Sequence, residues 1–190
     1  MRKIVLMMSI SVDGYMAGPN GELDWHMVDD ELHWHFNEVL RGMSVFLEGR
    51  VVYELMESFW PTADEDPQST PRMVEFAGIW RDTPKIVYSR TLEHAGPNAT
   101  IVREVDPGEV RALKEQPGGD MSLGGADLAA TFMAHDLIDE YRLYVHPVAI
   151  GRGKRLFPEM DRRVQMRLAE THTFGSGVVL LRYARPLGTS

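Results

Sequence analysis

Three stretches of the chain place a glycine or a small polar residue, and then a cation or an open helix start, at the end of a strand-like run. They are Gly49-Arg50, Ser89-Arg90 and Ser122-Leu123-Gly124-Gly125-Ala126. Glycine lets a phosphate come close to the backbone, and the first turn of a helix offers unpaired N–H groups at its positive end. A cation at position 50 opposes that dipole, a conflict that an anion beside it resolves. Read singly, each stretch also serves as a tight turn or a solvated arginine, and the spacing is not the Gly-x-Gly-x-x-Gly of the common dinucleotide fingerprint. Read together, three such strand ends suit an extended ligand with several phosphates, because ligands of open α/β sheets bind beyond the carboxyl ends of the strands.

A second set of residues suits the lining of a polar pocket. On a helix beginning near Asp29, the side chains of Asp30, Trp34 and Asn37 fall on one stripe, opposite Leu32, Phe36 and Val39. That stripe offers a carboxylate, flat aromatic surface and an amide to a pocket. The plainer alternative has Asp30 capping the helix. Asp13, in a Ser-Val-Asp-Gly turn, is a rival polar group whose ordinary role is to form that turn. His33 and His35 stand two apart on the same helix and point roughly 160° away from each other, so they cannot share a metal there. We read them, with His26, as surface residues. Arg152, Lys154 and Arg155 lie between glycines, where a solvated hairpin and an anion-steering patch are both open readings.

The elements that must hold these groups follow from pattern and punctuation. Strands are expected at Ile4–Ile10, Ser44–Leu47, Lys85–Tyr88, Thr100–Glu104 and Met121–Leu123. Helices are expected from Asp29 or Asp30 to Arg41, Gly49 to Ser58, Met73 to Trp80, Pro107 to Gln116 and Ala126 to His135. The acidic, proline-rich stretch Trp60–Pro71 reads as a surface loop. After Asp139 the texture changes to consecutive strands at Tyr141–Ile150, Val164–Phe174 and Val178–Ala184, the last two joined by Gly175-Ser176-Gly177 as a hairpin. Alternating β and α followed by strands alone predicts a three-layer αβα fold. Its central sheet is mixed and mostly parallel, with an antiparallel C-terminal edge.

Composition narrows the classes of function. The chain has 190 residues, suited to one domain spanning 1–190, a net charge of -8 and no cysteine. Disulfide frameworks, iron–sulfur sites, thiolate zinc sites and cysteine nucleophiles are excluded. The acidic balance argues against non-specific nucleic-acid binding, though not against a small anion held by local arginines. No run approaches 18 apolar residues, and the opening MRKIVLMMSI reads as a buried strand rather than a leader, so a cytoplasmic protein is the expectation.

Taken in order, Ser11-Val-Asp13-Gly14-Tyr-Met16-Ala17-Gly18, Gly49-Arg50, Ser89-Arg90-Thr91 and Leu123-Gly124-Gly125-Ala126 resemble the dihydrofolate reductase superfamily. The continuation Asp136-Leu-Ile-Asp139-Glu140, Pro147-Val148, Gly151-Arg-Gly153 and Leu156-Phe157 resembles the riboflavin-biosynthesis reductase domain and its bacterial relatives. The resemblance implies a dihydrofolate reductase-like fold and NADPH as cofactor. It implies that Ser9, Met16 and Ala17 line the nicotinamide. Gly49, Arg50, Ser89 and Arg90 would take the adenosine-side phosphates, and Gly124, Gly125 and Ala126 the pyrophosphate, with a cis peptide between the two glycines. Val52 stands where dihydrofolate reductases usually carry a threonine. The Trp25–Asp30 spacing matches that family's substrate-side tryptophan and acid, which makes Asp30 the candidate catalytic residue and Trp25 and Trp34 the candidate substrate contacts. Hydride delivery to a small flat heterocycle, pterin- or pyrimidine-like, is the activity implied. A stand-alone riboflavin-pathway pyrimidine reductase and a non-catalytic NADP(H)-binding sensor or assembly module are the alternatives. A homodimer is expected by the same analogy.

Overall fold

Ile4–Ser11 (β1) lies at the centre of an eight-stranded sheet because its apolar residues serve both faces; Ile4, Val5 and Leu6 are wholly buried. The structure is a computed structural model that describes residues 1–161 and 163–186; residues 187–190 of the expected domain lie outside it. The chain continues through Tyr15–Ala17 (β2), Asp30–Arg41 (α1), Val45–Gly49 (β3), Arg50–Glu57 (α2), Pro71–Asp82 (α3) and Lys85–Tyr88 (β4). Then come Ala99–Val102 (β5), Pro107–Glu115 (α4), Met121–Gly124 (β6), Ala126–Ala134 (α5) and Glu140–His146 (β7). Lys154–Arg155 (β8), Arg167–Thr173 (β9) and Val179–Ala184 (β10) complete the described elements.

The sheet runs β5-β4-β3-β6-β1-β7-β10-β9, parallel from β5 to β7 and antiparallel beyond. That is the mixed sheet with an antiparallel C-terminal edge expected from the order of elements. On one face Val5, Phe46 and Val87 pack against Phe76 and Trp80 of α3 and Tyr53 of α2. On the other, Leu6, Leu47 and Leu123 meet Val110 of α4 and Leu128, Ala129 and Phe132 of α5. Each fully buried large apolar side chain contributes about 1.5–3 kcal/mol, so these two layers hold the carboxyl ends of the strands in fixed register.

Several expectations need correction. Trp60–Glu65 is a short 3-10 helix rather than loop, because Trp60 packs edge-on against Phe76 and draws the backbone onto α3. The strand expected to reach Ile150 ends at His146, where Pro147 cannot continue a ladder. The following chain crosses back, so that β8 pairs with β2 as a separate two-stranded ribbon. Nor do His26, His33 and His35 lie open on the surface, since each is half-buried. His35 Nε2 lies 3.0 Å from the Tyr144 hydroxyl, His33 packs edge-on to Trp60, and His26 stacks on the buried His146 with ring centroids 5.0 Å apart. Imidazole's flat apolar faces suit such aromatic contacts.

Candidate functional site

Of the α-helices, α1 and α4 are capped by aspartates: Asp29 accepts from the Leu32 N–H, and Asp106 from those of Gly108 and Glu109. The helices α2 and α5 begin instead on Gly49 and Gly125, with no side-chain cap. Both open into one cleft of about 830 Å³ at the carboxyl end of the parallel strands. Their first-turn N–H groups are therefore open to a ligand. Gly125 holds φ 103°, a conformation that side-chain-bearing residues rarely adopt. A Cβ there would stand 3.5 Å from the Gly49 nitrogen, so the two helix starts lie nearly in contact.

The cleft gathers Met16, Ala17, Gly49, Arg50, Ser89, Arg90, Gly125 and Ala126 from among the residues singled out by sequence. Ser9 and Gly124 are not on its wall. Ser9 lies on β1 opposite Tyr144, and Gly124 is paired with Glu48 across β3 and β6. The peptide between Gly124 and Gly125 is trans, contrary to expectation; the positive φ at Gly125 makes the turn. The Ser89 hydroxyl accepts the Leu92 N–H at 2.9 Å, so its first task is to shape the turn after β4.

Cations ring the cleft. Arg50 pairs with Glu54 one turn along α2 at 2.7 Å, and Arg90 reaches Glu104 at only 3.7 Å, its side chain 81% exposed. One more was missed in the sequence and another was left open there. Arg103 follows β5 directly and so repeats the pattern of a cation just past a strand end. The pattern was hidden by extending that strand to Glu104. Its guanidinium donates to the carbonyls of Ser89 and Leu92 at 3.0 and 2.6 Å. Lys154, from the cluster open to the solvated-hairpin reading, is on the cleft wall and pairs with Asp127 at the start of α5. Arg155 stacks over the Tyr15 ring, its guanidinium carbon 4.9 Å from the centroid. Asp13 binds the Gly151 and Ile150 N–H groups and the Ser11 hydroxyl, which hold its carboxyl below the usual range. These bonds anchor the β2–β8 ribbon at the cleft mouth.

The proton-donor expectation fares differently. Asp30 is 73% exposed and forms an ion pair with Arg72 of α3, outside the cleft. Trp34 lines a shallow surface groove with His35, His172 and Phe174. Trp25 packs edge-on against His26 and His146. Asn37 is buried but spends its amide on the Arg72 carbonyl and Glu75. The predicted stripe is therefore divided between two surroundings, because α3 packs along α1 and claims two of its members.

A different carboxyl is buried near the glycine turn. Glu48, the last residue of β3 before Gly49, is 7% exposed, and its Oε2 has no hydrogen-bond partner among the described residues. Burial pushes its pKa up to about 8, a rise opposed by Lys85 and reinforced by Glu57.

This architecture can be set beside known proteins. A family model described as RibD C-terminal domain matches residues 2–180. The chain belongs to that family. Among its relatives is the uncharacterized Bacillus subtilis protein YyaP, 35% identical over 183 residues, which are 96% of this chain and 94% of that one. Two solved structures share the fold. One is the Thermotoga maritima diaminohydroxyphosphoribosylaminopyrimidine deaminase/5-amino-6-(5-phosphoribosylamino)uracil reductase, at TM-score 0.65 and 16% identity, covering 97% of this chain and 56% of that one. The other is Enterococcus faecalis dihydrofolate reductase complexed with NADP(H), at TM-score 0.63 and 16% identity, covering 97% and 96%. The RibD C-terminal domain member described here thus has the dihydrofolate reductase-like fold. Among its described residues, no helix is long and apolar enough to cross a membrane.

Proposed function

We propose that the protein is an NADPH-dependent reductase acting on a small flat heterocycle of pyrimidine or pterin type. The observation that carries this reading is the meeting of two uncapped helix starts, Gly49-Arg50 and Gly125-Ala126, in one cleft ringed by Arg50, Arg90, Arg103 and Lys154. Such a site offers backbone donors to a pyrophosphate and guanidinium groups to a further phosphate. Met16 and Ala17 on the same wall offer apolar surface to a planar ring.

When bound, NADPH supplies the hydride, and the chain's own contribution is orientation and charge. Arg90 and Arg50 would hold the 2′-phosphate side and the α5 start the pyrophosphate, with Met16 and Ala17 of β2 lining the nicotinamide. Membership of the RibD C-terminal domain family and the likeness to the Thermotoga reductase support the pyrimidine option, including a stand-alone riboflavin-pathway reductase.

Titration with NADPH and separately with NADH, followed by nicotinamide fluorescence or heat, tests the reading. Binding of NADPH with at least a tenfold preference is the expected result. Failure to bind either dinucleotide would sink it.

A further inference from the structure

The register of β3 against β6 pairs Glu48 with Gly124. Strand alternation turns its side chain, like that of Phe46 two residues earlier, toward the face covered by α2 and α3. A Cβ on Gly124 would stand 3.9 Å from Glu48 Oε1 and 3.4 Å from Val52 Cγ1. Both are ordinary contact distances, and Gly124 is itself only partly buried, so a flat group lying against it on this face comes within reach of the carboxyl. The other polar groups nearby are already engaged. Lys85 donates to the Trp80 carbonyl. Glu57 accepts the Trp80 indole N–H at 2.9 Å, and the Tyr53 hydroxyl accepts the Gly96 N–H at 2.8 Å. Leaving a buried acceptor unmatched is costly, and an apolar residue at position 48 would avoid that cost.

Resting on the reductase reading above, we infer that Glu48 is the group that protonates the substrate, with the heterocycle seated against Gly124 on the α2–α3 face of the sheet. Hydride adds to the carbon of a C=N bond and the π pair moves onto nitrogen. That nitrogen takes the Glu48 O–H proton, and the dinucleotide is oxidised in the same event. The carboxylate left behind regains its proton from solvent. A carboxyl that stays protonated at neutral pH is suited to this step, and Lys85, Glu57 and Tyr53 are the titratable groups that face it.

The test compares the natural protein with Glu48→Gln, which keeps the shape but has no acid, and Glu48→Asp, which keeps an acid one methylene shorter. Infrared spectroscopy at neutral pH should find a carboxylic-acid C=O band that the Gln variant lacks, and NADPH binding should shift it. With 5-amino-6-(5-phosphoribosylamino)uracil and dihydrofolate as probe substrates, single-turnover oxidation of NADPH should fall at least about 100-fold in Glu48→Gln. NADPH affinity should stay within about threefold. The natural protein should lose rate above about pH 8, a limb retained by Glu48→Asp and absent from Glu48→Gln. A Gln variant with full rate, or a band that does not move when NADPH binds, overturns the inference. If neither probe reacts, the band alone decides. A natural protein that binds no NADPH refutes the reductase reading itself, through a readout independent of position 48.

Discussion

His146 Nδ1 accepts the backbone N–H of Met27 at 3.0 Å, and this bond fastens the segment ahead of α1 to the end of β7. The ring is wholly buried, and burial with His26 nearby pushes its pKa down to about 4. The folded protein thus keeps His146 neutral where the unfolded chain, with an ordinary value near 6.5, binds a proton. The stabilisation is complete above about pH 6.5 and is lost as pH falls toward about 4, amounting to something on the order of 3 kcal/mol. Urea unfolding across this range should show that loss, and His146→Asn, which can still accept from Met27, should flatten it. An unchanged slope in the variant would assign the acid sensitivity elsewhere.

Gly125→Ala tests the cleft's central turn. The new methyl meets only ordinary contacts, so its cost comes from φ 103°, at about 1–3 kcal/mol. Thermal unfolding should register that loss. NADPH affinity should drop at least tenfold as the α5 start moves; unaltered affinity would remove the turn from the binding surface.

Arg90 and Arg103 should separate binding from stability. Arg90 is mostly exposed and holds only a loose ion pair, so Arg90→Gln should change stability by less than about 0.5 kcal/mol. It should weaken NADPH binding about tenfold while leaving NADH untouched. Arg103→Gln frees two carbonyls and should cost about 1–3 kcal/mol besides weakening NADPH. Calorimetric titration and urea unfolding on each variant distinguish the two patterns.

Asp30→Asn should be nearly silent. Its exposed pair with Arg72 contributes at most about 1 kcal/mol, and the cleft lies elsewhere. NADPH affinity and probe turnover should match the natural protein; a tenfold loss of turnover would return this acid to the chemistry.

The sheet was largely legible because its strands are local apolar runs: Ile4–Ser11 and Val45–Gly49 announce themselves, and the switch to consecutive strands after Asp139 foretells the antiparallel edge. The glycine-plus-cation strand ends were legible for the same reason, since both signals sit within a few residues. What lay beyond reach depended on distant packing. Whether Asp30 turns inward is decided by Arg72, far along the chain on α3. Nothing in the Trp60–Pro71 composition announces that Trp60 will dock on Phe76. Glu48 did carry a signal, a charge within an otherwise apolar strand, but only the register against Gly124 gives it meaning.

The two glycine-started helices also bear on how much folded protein exists at any moment. An anion that satisfies the open N–H groups of α2 and α5 supplies what aspartates supply to α1 and α4, so the ligand acts as the missing end piece of the scaffold. At a concentration a hundred times its Kd, such a ligand adds about 2.7 kcal/mol to the folded state. Were that ligand the dinucleotide proposed above, survival of the chain against proteolysis would rise and fall with its supply, and the protein's abundance would read out that supply.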